Sequence, residues 1–223
     1  MQVKLIGYTQ PTEDFEIENG DVQDLIAYCA RVSNPSNQLN TETTERLLNY
    51  LVKHAHWSPF ELASATVSIE TTRDIARQIL RHRSFTFQEF SQRYADPTGD
   101  LGFVTRDARL QDPKNRQNSI ELDSSESAAG LESDWYHLQL GVIEAAKEAY
   151  EWAIANGIAK EQARAVLPEG NTVSRMYMQG TIRSFIHYIQ LRAQEGTQKE
   201  HREIAVAVAK AIAQIFPYAE KIV

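Results

Sequence analysis

The sequence predicts an α+β fold, built as one helix-rich domain over residues 1–223. Three observations lead there. Most apolar residues recur at helical spacing, as in Val22-Leu25-Ile26-Cys29 and Ile204-Val208-Ile212-Ile215. A few segments alternate at period two instead: Ala63, Ala65, Val67 and Ile69 enclose Ser64, Thr66 and Ser68. These strands do not alternate regularly with the helices, and no Gly-rich dinucleotide fingerprint follows a strand, which disfavours a doubly wound sheet. The 223 residues, 42% hydrophobic and 24% charged, suit one domain with a sizeable core, and no internal repeat is present.

In chain order, Val3 to Tyr8 reads as a first strand. Asp21 is placed to cap a helix through Cys29, because its carboxylate can accept from the first free backbone N–H groups. Asn34-Pro35-Ser36-Asn37 is a loop, and Thr41 or Thr43 can cap a second helix through Leu47, Leu48, Leu51 and Val52. His54 to Pro59 leaves that helix, and a half-buried strand follows over Ala63 to Ile69. Thr72 to Leu80 returns to helical period through Ile75 and Ile79. Residues 96–133 are polar and weakly periodic, a long excursion with a short strand expected at Gly102 to Thr105. Trp135, Leu138, Val142, Ala145, Ala149 and Trp152 mark a long amphipathic helix that stops near Asn156-Gly157. A short helix over Lys160 to Val166 ends before Pro168, a helix is predicted from about Arg175 to Arg192, and a last one from about Glu203 to Phe216.

The net charge of -7 argues against a nucleic-acid polymer as partner, yet allows a local basic site for a nucleotide. Cys29 is the only cysteine, which excludes an internal disulfide and fits a reducing compartment. No apolar run reaches membrane-spanning length and the N-terminus lacks a signal-peptide pattern. A cytoplasmic protein with no membrane contact is expected.

The chemistry concentrates in Arg81-His82-Arg83-Ser84-Phe85-Thr86-Phe87-Gln88-Glu89-Phe90-Ser91-Gln92-Arg93-Tyr94. Arg77 and Arg81 lie one helical turn apart. A helix that ends in Arg-His-Arg and runs into a polar loop can surround an anion, since guanidinium forks match phosphate and keep their charge when partly desolvated. The same run also reads as a solvated basic helix end. A second feature is the stripe Met178, Ile182, Phe185, Ile189, Arg192, apolar until its last member. Arg192 either snorkels to water or brings a fixed charge to the edge of the core. Arg183 and His187 share another face of that helix. His54 and His56 alternate as two metal ligands can, but no cysteine or carboxylate stands at a companion spacing, so no metal is expected. Cys29, on an apolar stripe, reads as a small core residue.

Arg81-His82-Arg83, seven residues, then Ser91-Gln92-Arg93-Tyr94 resembles the signature of the flavin-dependent thymidylate synthases. Four more blocks resemble that family in the same order: Ala30-Arg31-Val32-Ser33, His54 to Glu61, Ala163 to Pro168, and Arg183-Ser184 through Leu191-Arg192. The resemblance implies a twisted, mainly antiparallel sheet flanked by helices, assembled as a homotetramer. It implies that dUMP is methylated to dTMP, with methylenetetrahydrofolate as carbon donor and NADPH as reductant of FAD. By the same resemblance Arg192 is catalytic, contacting the uracil ring. Gln78, Ile79, Leu80, Arg81, Glu89, Phe90, Ser91, Gln92, Arg93, Arg164 and Arg192 match dUMP-binding positions. His56, Ser58, Arg81, His82, Arg83, Glu89, Thr181, Ile182, Arg183 and His187 match flavin-binding ones. The rival readings are a cysteine-dependent synthase and a nucleotide-binding regulatory protein without turnover.

Overall fold

A computed structural model describes residues 1–223. In chain order its elements are β1 (Gln2–Tyr8), α1 (Val22–Ala30), α2 (Thr44–Lys53), β2 (Ser64–Thr72), α3 (Arg73–Ile79), β3 (Thr86–Glu89), α4 (Pro97–Asp100), β4 (Arg109–Gln111), β5 (Ser119–Glu121), α5 (Glu126–Ala155), α6 (Lys160–Ala163), β6 (Val173–Thr181), α7 (Ile182–Arg192) and α8 (Lys199–Ala213). The main sheet has the order β1-β2-β6-β3, with every pair antiparallel; β4 and β5 form a separate hairpin. The α+β expectation and the antiparallel sheet both hold.

The sheet's inner face follows from alternation. On β2, Ala65, Val67 and Ile69 are buried. On β6, Ser174, Met176, Met178 and Gly180 are buried while Arg175, Tyr177 and Gln179 are exposed. The helix predicted over 175–192 is thus wrong in its first part: the chain is strand to Thr181 and helix only from Ile182. Period two governs Ser174 to Gly180, and pairing with β2 on one side and β3 on the other makes this an interior strand of the sheet. Gly180 is required there by packing. A Cβ at that position would stand 2.5 Å from Cδ1 of Phe85, whose ring covers the glycine.

Caps follow the local chemistry. The Asp21 carboxylate accepts from the N–H groups of Gln23 and Asp24 at 2.7 and 3.0 Å, and Asp24 returns the bond to the Asp21 N–H at 3.4 Å, a capping box. Thr43 occupies the N-cap position of α2 without a side-chain cap bond. Thr181 caps α7, its Oγ1 accepting from the Ser184 N–H at 3.2 Å.

Two other boundaries differ from the sequence reading. The 96–133 excursion holds α4, the β4–β5 hairpin and the first turns of α5, which begins at Glu126 under a Ser125 cap rather than near Trp135. The strand expected at Gly102 to Thr105 is reduced to one bridge, Phe103 to Thr172. The last helix starts at Lys199, before Glu203, and ends at Ala213.

The core lies between the inner face of the sheet and α3, α7 and α8. Ile75, Ile79, Met176, Met178, Ile182, Phe185, Ile189, Ala205 and Val208 are fully buried in it. No helix is long and apolar enough to cross a membrane.

Candidate active site

Two elements end at the same place. α3 runs out at Ile79 into Leu80 and Arg81-His82-Arg83, and α7 runs out at Arg192. The stripe Ile182, Phe185, Ile189 is fully buried, so the next member of that face, Arg192, is held at the margin of the core and is only half-buried. Its Nε donates to Nε2 of His82 at 2.9 Å. His82 therefore offers a lone pair at Nε2 and is neutral. Burial, then the charges of Arg192 and Arg81, lower its pKa to about 4. The ring of His82 stands edge-on to Tyr188 at 5.0 Å between centroids. Tyr188, on α7, is itself buried, and burial holds its phenol in the protonated form.

Arg81 and Arg83 are exposed, and neither has a carboxylate partner. Arg164 and Arg192 likewise pair with no carboxylate. By contrast Arg73, Arg77, Arg93, Arg106, Arg109, Arg175 and Arg183 are all in ion pairs. Uncompensated guanidiniums at the rim of an apolar core fit a polyanionic ligand such as a nucleotide or a phosphate-bearing cofactor.

The structure links the Arg81–Ser84 run to the head of α7. Ser184 Oγ donates to the Ser84 carbonyl at 3.1 Å, and Phe85 meets Phe185 edge-on at 5.0 Å. The head of α7 thus lies against Ser84, next to Arg83 in the chain, although Ile182 is wholly buried and only its backbone can face a ligand. Arg183 pairs with Glu61, and His187 meets Trp57 edge-on at 4.6 Å, so one face of α7 packs on the turn that carries Ser58. Burial and the Arg183 charge lower the pKa of His187. His54 and His56 are exposed beside Tyr50, at 4.2 and 6.1 Å between ring centroids. No group of three metal-ligating residues occurs.

The remaining candidates stand apart from this cluster. Glu89 is at the far end of β3, about 10 Å along the strand from Thr86 at some 3.3 Å per residue. There it pairs with Arg73 at 3.4 Å and accepts from Ser174 Oγ at 2.8 Å. Phe90 donates its N–H to the Arg175 carbonyl at 2.8 Å, and Ser91 Oγ accepts from the Arg93 N–H at 3.4 Å. Gln92 is buried with its Nε2 unpartnered. Arg93 pairs with Glu161 at 3.2 Å, and Arg164 Nε donates to the Glu161 carbonyl at 3.3 Å, so these two candidates meet. Ile79 is core, and Leu80 is half-buried against it. One chain therefore gathers Gln78, Arg81, His82 and Arg192 in one group, the Ser58–Arg183–His187 face in a second, and Glu89 to Arg93 with Arg164 beyond the other end of β3.

Sequence reasoning missed Tyr188, Gln198, Glu200, His201 and Arg109, which lie behind Gln78. Gln78 Nε2 donates to Gln198 Oε1 at 2.8 Å, and His201 bonds both Gln78 and Tyr188. A signal was available: Glu200 and His201 stand one helical turn before Ile204 and Ala205 on the buried stripe of α8, where polar residues demand partners.

The family described as thymidylate synthase complementing protein matches residues 17–218. A flavin-dependent thymidylate synthase of Synechocystis sp. is 49% identical over 218 residues, spanning 97% of this chain and 96% of the relative. A probable flavin-dependent thymidylate synthase of Paramecium bursaria Chlorella virus 1 is 45% identical over 217 residues, again spanning 97% and 96%. Among solved structures, a UMP/dUMP methylase, PolB, from Streptomyces cacaoi bound with 5-Br dUMP superposes with a TM-score of 0.79 at 25% identity, over 99% of this chain and 93% of that one. With its Arg-His-Arg run placed on the margin of this shared fold, the chain belongs to the thymidylate synthase complementing protein family, the flavin-dependent thymidylate synthases.

Proposed function

We propose that this single domain over residues 1–223 forms dTMP from dUMP by reductive methylation, with methylenetetrahydrofolate as the carbon donor. The reaction balances as dUMP, methylenetetrahydrofolate, NADPH and a proton giving dTMP, tetrahydrofolate and NADP. The observation that carries the reading is Arg192. It is a fixed charge at the end of a buried stripe, bonded to a neutral His82 and free of any carboxylate. Beside a uracil ring such a charge stabilises negative charge as it develops, and it does so more strongly at the edge of an apolar core than in water. That makes C5 of the ring a better nucleophile towards the one-carbon unit, and the C5 proton is then lost. Bound FAD, reduced by NADPH, supplies the hydride that completes the methyl group.

The chain's own residues bind and orient. Gln78, Arg81, Ser91, Gln92, Arg93 and Arg164, with the backbone of Ile79, Leu80 and Phe90 and the Glu89 carboxylate, hold dUMP in this reading. His56, Ser58, Arg81, His82, Arg83, Glu89, Thr181, Arg183 and His187, with the backbone of Ile182, hold FAD. The separation of these groups in one chain, and the apolar face that α5 presents to solvent, support a homotetramer in which subunits complete each other's sites. The reaction belongs in the cytoplasm, where its soluble nucleotide and folate substrates occur.

The visible absorption spectrum of the purified protein tests cofactor binding, because oxidised flavin is yellow. Turnover with dUMP, methylenetetrahydrofolate and NADPH then tests the reaction. A flavin-loaded protein that binds dUMP and forms no dTMP would be a regulatory nucleotide-binding protein instead.

A further inference from the structure

Behind Gln78 lies a continuous series of polar side chains that ends on a charge. Glu200, nearly buried at the head of α8, is paired with Arg109 of the β4–β5 hairpin. Burial is the largest single influence on Glu200 and opposes its ionisation, but the bonds from Arg109, the backbone and Gln198 together outweigh it and its pKa is lowered, so the carboxylate can only accept. Gln198 Nε2 donates to Glu200 Oε2 at 2.9 Å. Its Oε1 must then face Gln78, and Gln78 Nε2 donates to it at 2.8 Å. That leaves Gln78 Oε1 towards His201, whose Nδ1 is 3.2 Å away. An amide oxygen only accepts, so Nδ1 carries the proton. His201 Nε2 is then an acceptor, and the Tyr188 hydroxyl, 3.2 Å away, donates to it. His201 is fully buried and neutral, as one fixed tautomer requires.

Every bond in the series thus points the same way, from Tyr188 to Glu200, and its direction is set by the one charged end. Without that charge an amide chain has no preferred polarity, because each amide can flip and the imidazole can move its proton. We propose that Glu200, held by Arg109 and acting through Gln198, is a positioning residue that fixes the Gln78 amide and the His201 tautomer for nucleotide binding. The hairpin in the 96–133 excursion thereby sets the geometry of a residue on α3. The proposal rests on the reading of Gln78 as a dUMP ligand. What it adds is the cause of the amide's orientation, including which edge presents a donor and which an acceptor to the ligand.

The experiment uses the FAD-loaded protein and two neutral variants. Glu200→Gln keeps shape and removes the charge. Arg109→Gln with Glu200→Gln removes both charges together, so neither is left buried alone. Nitrogen-15 chemical shifts of the His201 ring report the tautomer, and calorimetric titration with dUMP reports affinity. In the natural protein the ring is expected to be protonated at Nδ1 alone. Both variants should show a mixture of tautomers and bind dUMP about tenfold more weakly, the effect of losing one well-oriented hydrogen bond. The KM for dUMP should rise with it, while kcat at saturating dUMP changes far less. An Nε2–H tautomer in the natural protein, or variants with an unchanged tautomer and unchanged dUMP affinity, would overturn the proposal. If the natural protein shows the Nδ1–H tautomer and binds no dUMP, the assignment of Gln78 fails instead.

Discussion

The segment Val173–Arg192 and helix α5 are both rich in apolar residues, and they use them in opposite ways. Along Val173–Arg192 the residues Met176, Met178, Ile182, Phe185 and Ile189 are wholly buried by the chain's own sheet and helices. Along α5, Leu138 is 67% exposed, Val142 53% and Trp152 62%. Only Ala128, Gln139, Ala146, Tyr150 and Ala153 are buried over its 30 residues. The first region is finished within one chain, so the charge at its end, Arg192, has a defined place. The second presents an apolar face of the kind that marks a contact with another molecule. In the proposed function, chemistry that depends on fixed geometry is assigned to the first region, and assembly to the second.

The sharpest test of that division is Arg192→Ala. The variant should stay folded and yellow, since the residue lies at a helix end outside the core. We expect dTMP formation to fall roughly 100-fold or more, the scale of deleting one charge-stabilising donor. Flavin reduction by NADPH should change much less, and Arg192→Lys should not restore full activity because it lacks the planar fork. Measuring both steps on one preparation decides it: equal loss of both would make Arg192 a flavin-holding or structural residue.

The converse test is on α5. Leu138→Glu with Val142→Glu places two charges on the exposed stripe, where they cost nothing to a lone chain. If that stripe is a subunit contact, the assembly should weaken by about 100-fold or more, because a buried unpaired charge costs several kcal/mol. Light scattering with circular dichroism separates dissociation from unfolding. An unchanged particle mass would remove this face from the interface.

The same comparison explains what was legible in the sequence. The Ile182–Phe185–Ile189–Arg192 stripe was readable because a single helix fixes its spacing, and the Arg81–Tyr94 run because its residues are contiguous in the chain. β6 was misread as helix, since Met178 and Ile182 are four apart and mimic one turn. The alternation Ser174, Met176, Met178, Gly180 was equally visible, but only its pairing with β2 and β3, far away in sequence, decides between the two. The Glu200–Gln198–Gln78–His201 series was invisible for a related reason: its members lie on α3 and the head of α8, some 120 residues apart in the Gln78–Gln198 bond. The start of α5 was missed because residues 126–134 carry one large apolar residue, Leu131, and so show no helical period.

A smaller effect concerns pH. His82 and His201 both have their pKa lowered to about 4, by burial first and then by Arg192. In the unfolded chain they titrate near 6.5. Between those values the unfolded state binds protons that the folded state refuses, so stability falls as pH drops from about 6.5 towards about 4. Above that window the two states bind equally and no further gain appears from these groups. A melting-temperature series from pH 7.5 to 4.5 should show the fall, and His201→Gln should flatten part of it. No change in slope would mean that His201 binds its proton equally well in the folded and unfolded chain.

The smallest effect is expected at Cys29, which lies in neither region. It sits on α1, half-buried, and burial raises the pKa of its thiol, so the thiolate that a nucleophile needs is suppressed. A synthase that attacks the uracil ring through sulfur would need this residue, because the chain has no other cysteine. If the chemistry resides instead at the end of α7, the thiol is only a small packing group. Cys29→Ala should then lose about 1 kcal/mol or less of stability, as a half-buried atom deletion does, and keep most of its dTMP formation. A melting curve and a turnover assay on the same flavin-loaded variant suffice. If Cys29→Ala folds, holds flavin and forms no dTMP, covalent catalysis by the thiol would have to replace electrostatic activation by Arg192. Loss of both stability and flavin would instead place Cys29 in the packing that supports the cofactor.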